Sequence, residues 1–385
     1  MIITHLTDTD LYKFTMCQYF YHEHPTMITK HRFICRTPNI DLTVIKDELD
    51  AEIDNYCSLH FTDEELNYLK SLGYFKEDFI NYLKKYQANR NCIKTDIVNG
   101  KLTIEIEGFL INTIFFEVPV LAMVNELYFM NKVKEGNIQY INDTIPDKLR
   151  LIKVLNDFKF VEFGTRRRFS KLHQGFVIRQ LKKDLHFKGT SNVYFAMIHK
   201  IPVSGTMAHE YIQAFQAIMY YDLKNFQKEA LESWAKEYRG ELAIALTDTI
   251  GIDTFLSDFD LYLAKLYDGV RHDSGDPFIW GDKIIEHYKK LGIDARNKTL
   301  VFSDGLDFPK AIEIYKYYVG RTNVVFGIGT NLTNDTGIFQ PINIVIKMVE
   351  CNRKPVAKIS DERGKEICED AEFLNRLKST FGIGE

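Results

Sequence analysis

No two of the six cysteines, at positions 17, 35, 57, 92, 351 and 368, form a CxxC pair, so a zinc ribbon is not expected. Scattered thiols of this kind suit a reducing cytoplasm. Charge of one sign is not in excess. The 49 Lys+Arg against 53 Asp+Glu leave a formal net charge of -4, so bulk nucleic-acid binding is not expected. A local basic cluster would still serve an anionic ligand. There is no GxxxxGK[ST] P-loop and no GxGxxG entering a helix, so an ordinary nucleotide-binding domain has no support. Long unbroken apolar runs are missing too. The most apolar stretch, Gly108 to Met130, is interrupted by Asn112, Glu117, Pro119 and Asn125, and reads as buried core rather than a membrane span. The opening MIITHLTDTD lacks a basic region followed by an apolar one, so no signal peptide is expected. Internal repeats and low-complexity tracts are absent.

What remains is ordinary globular composition, 45% hydrophobic and 26% charged, which excludes disorder, collagen and coiled coil. At ~150 residues per domain, 385 residues allow two or three domains, or one large barrel with additions. Texture divides the chain. Up to about residue 130, strand and helix signals alternate irregularly. Within that part, Ser58 to Lys85 reads as two short helices parted by Gly73, with Thr62 capping and Glu65 three residues on. KLTIEIEGFL (101–110) reads as a strand. DTDLYKFTM (8–16) reads as an Asp-capped amphipathic helix. A polar segment (131–150) then separates the halves.

Beyond it, seven short apolar runs recur: 158–167, 185–191, 200–206, 241–249, 268–276, 299–307 and 323–331. Most end in Gly, Ser, Thr, Asp or Arg and precede a helical stretch. Strand-then-helix units in series predict a parallel sheet with helical crossovers. An open doubly wound sheet would fit. Polar residues at every strand's carboxyl end favour an irregular (β/α) barrel, whose active face lies there. The tail from Ile342, INIVIKMVE followed by KPVAKISDERGKE, reads as strands plus a hairpin.

The strand ends carry the chemistry. Their arginines can fork onto phosphate oxygens. Glycines beside hydroxyls let backbone amides approach a phosphate. Aspartates can hold Mg²⁺ or ribose hydroxyls. Together this is the inventory for a phosphorylated sugar. In RHDSGDP (271–277), Asp276 and Pro277 read as a helix start, which leaves Arg271 and Asp273 on one strand face. In EFGTRRRFS (162–170), Arg166 is the better ligand, with Arg167 and Arg168 read as a solvated face. In SGTMAHE (204–210), His209 could transfer protons or accept a phosphoryl group. GIGTN (327–331) reads as a phosphate loop or a tight turn.

Taken together, TDLYKFTM, EFGTRR, KGTSN, SGTMAHE, VRHDSGDP, SDGLD and FGIGT, in this order, resemble the nicotinate phosphoribosyltransferase family over nearly the whole chain. The resemblance implies an α/β fold: an irregular barrel over 136–344, with an α/β domain made of 1–135 and 345–385. It implies ATP-coupled transfer of phosphoribosyl from 5-phosphoribosyl 1-pyrophosphate to nicotinate, by way of a phosphohistidine at His209. Phe163 would stack on the pyridine ring, Arg166 would pair with its carboxylate, and Tyr12 would cover the ring from a partner subunit in a head-to-tail homodimer. Arg271 and Asp273 would hold the phosphoribosyl group, with Asp304 and Gly305 on the ribose side. Gly327, Gly329 and Thr330 would receive the 5′-phosphate. Arg36 and Lys358 would reach the pyrophosphate. ATP is the implied co-substrate and Mg²⁺ the implied cation, with no ligands assigned to it. Ser191 stands where nicotinamide-using relatives carry Asp, which favours nicotinate. Nicotinamide specificity and a non-catalytic phosphosugar-binding barrel are the competing readings. Neither nucleic acid nor membrane is expected as a partner, and the location expected is cytoplasmic.

Overall fold

Strand signals survive folding where one face is buried. Residues 101–109 form a strand that buries Leu102, Ile104 and Ile106 and turns Lys101, Thr103 and Glu107 outward. The computed structural model describes residues 1–136, 143–361 and 366–383. Its chain divides into one unit of residues 1–205 with 328–347 and a second of residues 206–327 with 348–385. The division read from the sequence, 1–135 with 345–385 against 136–344, is drawn elsewhere along the chain.

In the first unit, β1 (Ile28–Cys35), β2 (Ile93–Val98) and β3 (Lys101–Phe109) form an antiparallel ladder with β3 between the other two. The two expected helices are present at Asp63–Ser71 and Glu77–Lys85. The first carries the full Thr62–Glu65 capping box, and Gly73 takes a positive φ of 86° in the turn between them. Phe14, Phe61, Phe75, Tyr86 and Phe115 pack edge-on or tilted into an aromatic core. The helix Leu110–Gly136 is long and apolar enough to cross a membrane, but 78% of its apolar window is buried inside the protein, as befits a core helix. Parallel strands β4 (Phe160–Glu162) and β5 (Phe187–Thr190) complete this unit. Helices Lys171–Leu181 and Val193–His199 follow them.

In the second unit, β6 (Ile244–Leu246), β7 (Gly269–His272), β8 (Thr299–Phe302) and β9 (Asn323–Ile328) pair in parallel, in chain order. Helices Ile252–Asp258, Pro277–Lys290 and Phe308–Tyr318 follow the first three. Phe302 stacks on Tyr318 and Phe326, and Trp280 meets it edge-on. A hairpin of β10 (Ile344–Cys351), whose first residues belong to the first unit, and β11 (Lys354–Pro355) accounts for INIVIKMVE and the first residues after it. Residues 362–365 of the expected tail hairpin, and 137–142 of the polar segment, lie outside the described residues. The α/β class is the one expected.

Three local expectations are corrected. KIPVSGT forms no strand, only an isolated parallel bridge at Val203 to Thr190; Pro202 has no N–H to give a ladder. The helix Leu11–Glu23 is not amphipathic, because every residue from Lys13 to Phe20 is buried. Asp10 precedes that helix but makes no side-chain cap; its carboxylate is engaged elsewhere.

Candidate active site

Each unit gathers polar side chains at its strand ends. In the first, the chain leaves β4 through Phe163 and Gly164 into a single 3-10 turn, Thr165–Arg167. Glu162 sits at the strand end with no exposure. Its Oε1 accepts the Gly164 N–H, and its Oε2 accepts Thr190 Oγ1 at 2.5 Å and Gln174 Nε2 at 3.1 Å. Burial pushes this carboxyl up to about 7, against those hydrogen bonds and with the Asp10 charge adding to the rise. Ser191 follows Thr190 and donates from Oγ to Asp10 Oδ1 at 2.8 Å. The Leu11 N–H donates to the Ser191 carbonyl at 2.8 Å, so the start of the Leu11–Glu23 helix is tied to the end of β5. Burial raises the Asp10 carboxyl above its ordinary range, opposed by Ser191, Thr165 and the Arg166 charge.

Arg168 corrects the sequence reading most sharply. It is no solvated charge: it has no exposure, and its guanidinium forks onto Asp8 at 2.7 and 3.0 Å. Gln174 and Asn192 complete the pair by binding Arg168 at 3.1 Å and Asp8 at 2.9 Å. Burial alone would raise the Asp8 carboxyl, but the charges of Arg168 and Lys171 hold it well below the usual range. A charge run in a sequence is usually surface, and nothing local signals that a carboxylate 160 residues away meets it.

Arg166 stays partly exposed, with Nη1 4.0 Å from Glu117 Oε1. Glu117 is bound at 2.5 Å by the buried Lys13. Phe163 and Tyr12 are half-buried, and Lys13 Nζ lies 5.4 Å from the Tyr12 ring centre. Gly329 lies against the end of β4: a Cβ there would stand 2.8 Å from the Phe163 carbonyl oxygen. Thr330 starts the short turn of helix that follows. Ser191, Phe163, Arg166, Gly329 and Thr330 thus sit around the ends of β4 and β5. Arg36 does not join them; it is exposed beyond β1, with its N–H on the Asn343 carbonyl.

In the second unit, His209 opens the helix His209–Ile218. Its Nε2 lies 2.8 Å from Asp248 Oδ1, and its Nδ1 lies 3.8 Å from Asp273 Oδ2. Asp248, two residues beyond β6, takes Lys358 Nζ at 2.8 Å and Ser274 Oγ at 2.7 Å on its other oxygen. Ser303 Oγ donates to Asp273 Oδ1 at 3.0 Å. Burial first, then the Lys358 charge, lowers the His209 imidazole to about 4, against Asp248 and Asp273. Burial would raise both aspartates, but His209 and Lys358 hold Asp248 well below its ordinary value, and Arg271 lowers Asp273. The imidazole is therefore neutral at pH 7 and carries its proton on Nε2 toward Asp248, which leaves the Nδ1 lone pair open. Asp276 caps the helix Pro277–Lys290 through the Phe278 and Ile279 amides, the role read for it. Asp304 and Gly305 lie in the turn after β8, with Gly305 at φ 58°, and Gly327 is buried near the end of β9. Lys358 is engaged by Asp248 and only 11% exposed.

One atom each from His209, Asp248 and Asp273 falls within 4.8 Å of the others. Both Asp248 oxygens are already taken. Asp273 Oδ2 is the hard donor left for a cation, which suits an Mg²⁺ that keeps its waters and phosphate oxygens. The sequence singled out His209, Asp273 and Lys358. It gave Asp248 no role, read Asp10 only as a helix cap, and missed Asp8 and Glu162.

Residues 158–385 match the nicotinate phosphoribosyltransferase (NAPRTase) family, and residues 7–125 match the nicotinate phosphoribosyltransferase (NAPRTase) N-terminal domain. A nicotinate phosphoribosyltransferase of Burkholderia mallei is 49% identical over 100% of this chain and 98% of its own length. One of Bordetella petrii is 48% identical over 100% and 99%. The crystal structure of nicotinate phosphoribosyltransferase from Vibrio cholerae superposes with a TM-score of 0.93 at 38% identity, over 100% of this chain and 95% of that one. The enzyme from Porphyromonas gingivalis gives 0.93 at 34%, over 99% and 100%.

Proposed function

The chain belongs to the nicotinate phosphoribosyltransferase family, and from that premise we propose which residues carry the reaction and how ATP enters it. Nicotinate and 5-phosphoribosyl 1-pyrophosphate give nicotinate mononucleotide and pyrophosphate, a step in NAD salvage. ATP and water give ADP and phosphate in the coupled half-reaction.

The first unit's cluster binds the base. Arg166 pairs with the nicotinate carboxylate, and Phe163 packs on the ring. Ser191 is compatible with a carboxylate because its hydroxyl brings no charge. The pyridine nitrogen attacks the anomeric carbon with its own lone pair as the bond from that carbon to pyrophosphate breaks, so no strong base is needed. Gly327, Gly329 and Thr330 take the 5′-phosphate through backbone amides. Arg271, Asp273, Asp304 and Gly305 hold the phosphoribosyl group. Arg36 and Lys358 serve the pyrophosphate, Lys358 by leaving Asp248. Mg²⁺ held at Asp273 would neutralise charge on the departing pyrophosphate. Catalysis is then mainly positioning and charge neutralisation.

His209 couples ATP. The observation that carries this is the 2.8 Å contact of His209 Nε2 with Asp248 Oδ1, which leaves Nδ1 as nucleophile. The γ-phosphoryl bond to ADP breaks as the bond to Nδ1 forms, and water later takes the phosphoryl group. Incubation with γ-labelled ATP should leave acid-labile label on His209. Absence of label, or label retained in His209→Ala, would refute the role. The proposal extends to a cytoplasmic homodimer in which Tyr12 and Arg36 serve the neighbouring subunit's site. An oligomeric state measured in solution as monomer, with full activity, would remove that part.

A further inference from the structure

Three donors converge on one buried carboxylate at the ends of β4 and β5. Glu162 has no exposure. Its two oxygens accept the Gly164 amide, the Thr190 hydroxyl and the Gln174 amide. Gly164 is two residues before Arg166, and Thr190 is one before Ser191. Thr190 Oγ1 in turn accepts the Asn192 N–H at 3.0 Å. Gln174 also donates to Thr165 Oγ1 at 3.2 Å, next to Arg166. The backbone N–H of Ser191 donates to the Glu162 carbonyl at 2.9 Å. One residue therefore holds both strand ends by side chain and by backbone, yet its carboxylate touches no side chain given a role with substrate.

We propose that Glu162 is the positioning residue of the nicotinate subsite: its carboxylate ties the turn that presents Arg166 to the strand end that presents Ser191, and it does so only while both its oxygens accept. The proposal rests on the assignment of Arg166 and Ser191 to the base. All three hydrogen-bond partners are donors. A proton on Glu162 would face a donor and must displace one of them; Gln174 is poorly placed to turn over, because its own oxygen holds Arg168. Losing one tie lets Arg166 or Ser191 drift, and an error of about 1 Å in a binding group is costly.

Such a carboxylate titrates within the working range, since burial brings it up to about 7. The charged groups around it are Asp10, which raises it further, and Arg168 with its partner Asp8. Lys171 and Glu126 lie beyond, 3.1 Å from Asp8 and 3.9 Å from Arg168. The ionised form is the one that holds the subsite. Kcat/KM for nicotinate should therefore fall as pH drops through about 7, well separated from His209 at about 4.

Glu162→Gln places an NH2 against the donors. It should raise the nicotinate KM roughly tenfold, abolish the acid limb near 7, and leave label uptake from ATP and the phosphoribosyl pyrophosphate KM within about twofold of wild type. Thr190→Val removes one donor and keeps the carboxylate. It should move the limb up by about half a pH unit, and it serves if the Gln variant does not fold. Arg166→Gln is run alongside. If it leaves the nicotinate KM unchanged, the base assignment fails and this proposal with it. If it raises that KM while Glu162→Gln or Thr190→Val keeps the wild-type KM and pH profile, the positioning role alone is overturned.

Discussion

His209 Nε2 lies 2.8 Å from Asp248 Oδ1, and that contact decides which imidazole nitrogen can act. An ionised carboxylate cannot donate, so the proton is on Nε2 and Nδ1 carries the lone pair. Lys358 and Ser274 hold the other Asp248 oxygen, so the carboxylate cannot swing away without breaking two further bonds. Asp248→Asn keeps the shape and removes the charge. Label transfer from ATP to His209 should fall about a hundredfold, read by acid-labile incorporation. An unchanged rate would show that the contact does not orient the ring.

The same cluster sets a pH dependence. His209 is lowered to about 4 by burial and by Lys358. Between an ordinary histidine near 6.5 and about 4, an unfolded chain binds a proton here that the folded one does not. Stability from this group is therefore present above about 6.5 and is lost as pH falls toward 4. Phosphoryl uptake should stay level down to about pH 5 and fall only below it. Lys358→Met removes the second of the two lowering causes, so the fall should move to higher pH. NMR titration of labelled histidine reads this directly; an His209 midpoint near 6.5 in the wild type would contradict it.

Asp8 and Arg168 have no exposure at all. Removing one partner strands the other charge in the core, at a cost of about 3–5 kcal/mol. Asp8→Ala should show that loss in urea unfolding, while Asp8→Leu with Arg168→Met should recover part of it. The Asp8 carboxyl is held below its ordinary value, so its contribution is present above about pH 4 and disappears only as pH falls below that. An Asp8→Ala protein as stable as the wild type at pH 7 would remove the pair from the account.

Much of this was legible in the sequence, and for a reason. Strand-then-helix rhythm, the Thr62–Glu65 cap and the Asp276–Pro277 helix start are local signals, and the structure keeps them. Asp273 was legible because it follows the carboxyl end of β7, and His209 because it opens a helix after a hydroxyl-rich turn. Arg168 and Asp10 were misread because the partner that redefines each is distant: Asp8 lies 160 residues from Arg168, and Ser191 lies 181 from Asp10. Glu162 carried no signal, since a single acidic residue ending an apolar strand looks like a boundary. Val203 was read as a strand from its apolar neighbours, but the proline before it leaves only a bridge.

Ser191 donates to a buried Asp10, which sharpens the specificity test. Ser191→Asp would set two carboxyls on one site, and one of them must stay protonated. The variant should lose at least about tenfold in kcat/KM for nicotinate and gain use of nicotinamide. Asp10→Asn added to it should restore part of the lost stability. A variant that keeps the wild-type preference would separate Ser191 from base selection.

The central claim is ATP-coupled transfer to nicotinate through His209. Purified protein, phosphoribosyl pyrophosphate and Mg²⁺ would be given nicotinate or nicotinamide, with and without ATP, in the wild type and in His209→Ala, and mononucleotide quantified. The account predicts nicotinate mononucleotide, increased by ATP in the wild type and indifferent to ATP in His209→Ala. Nicotinamide mononucleotide as the main product, or an ATP effect that survives the loss of His209, would contradict it.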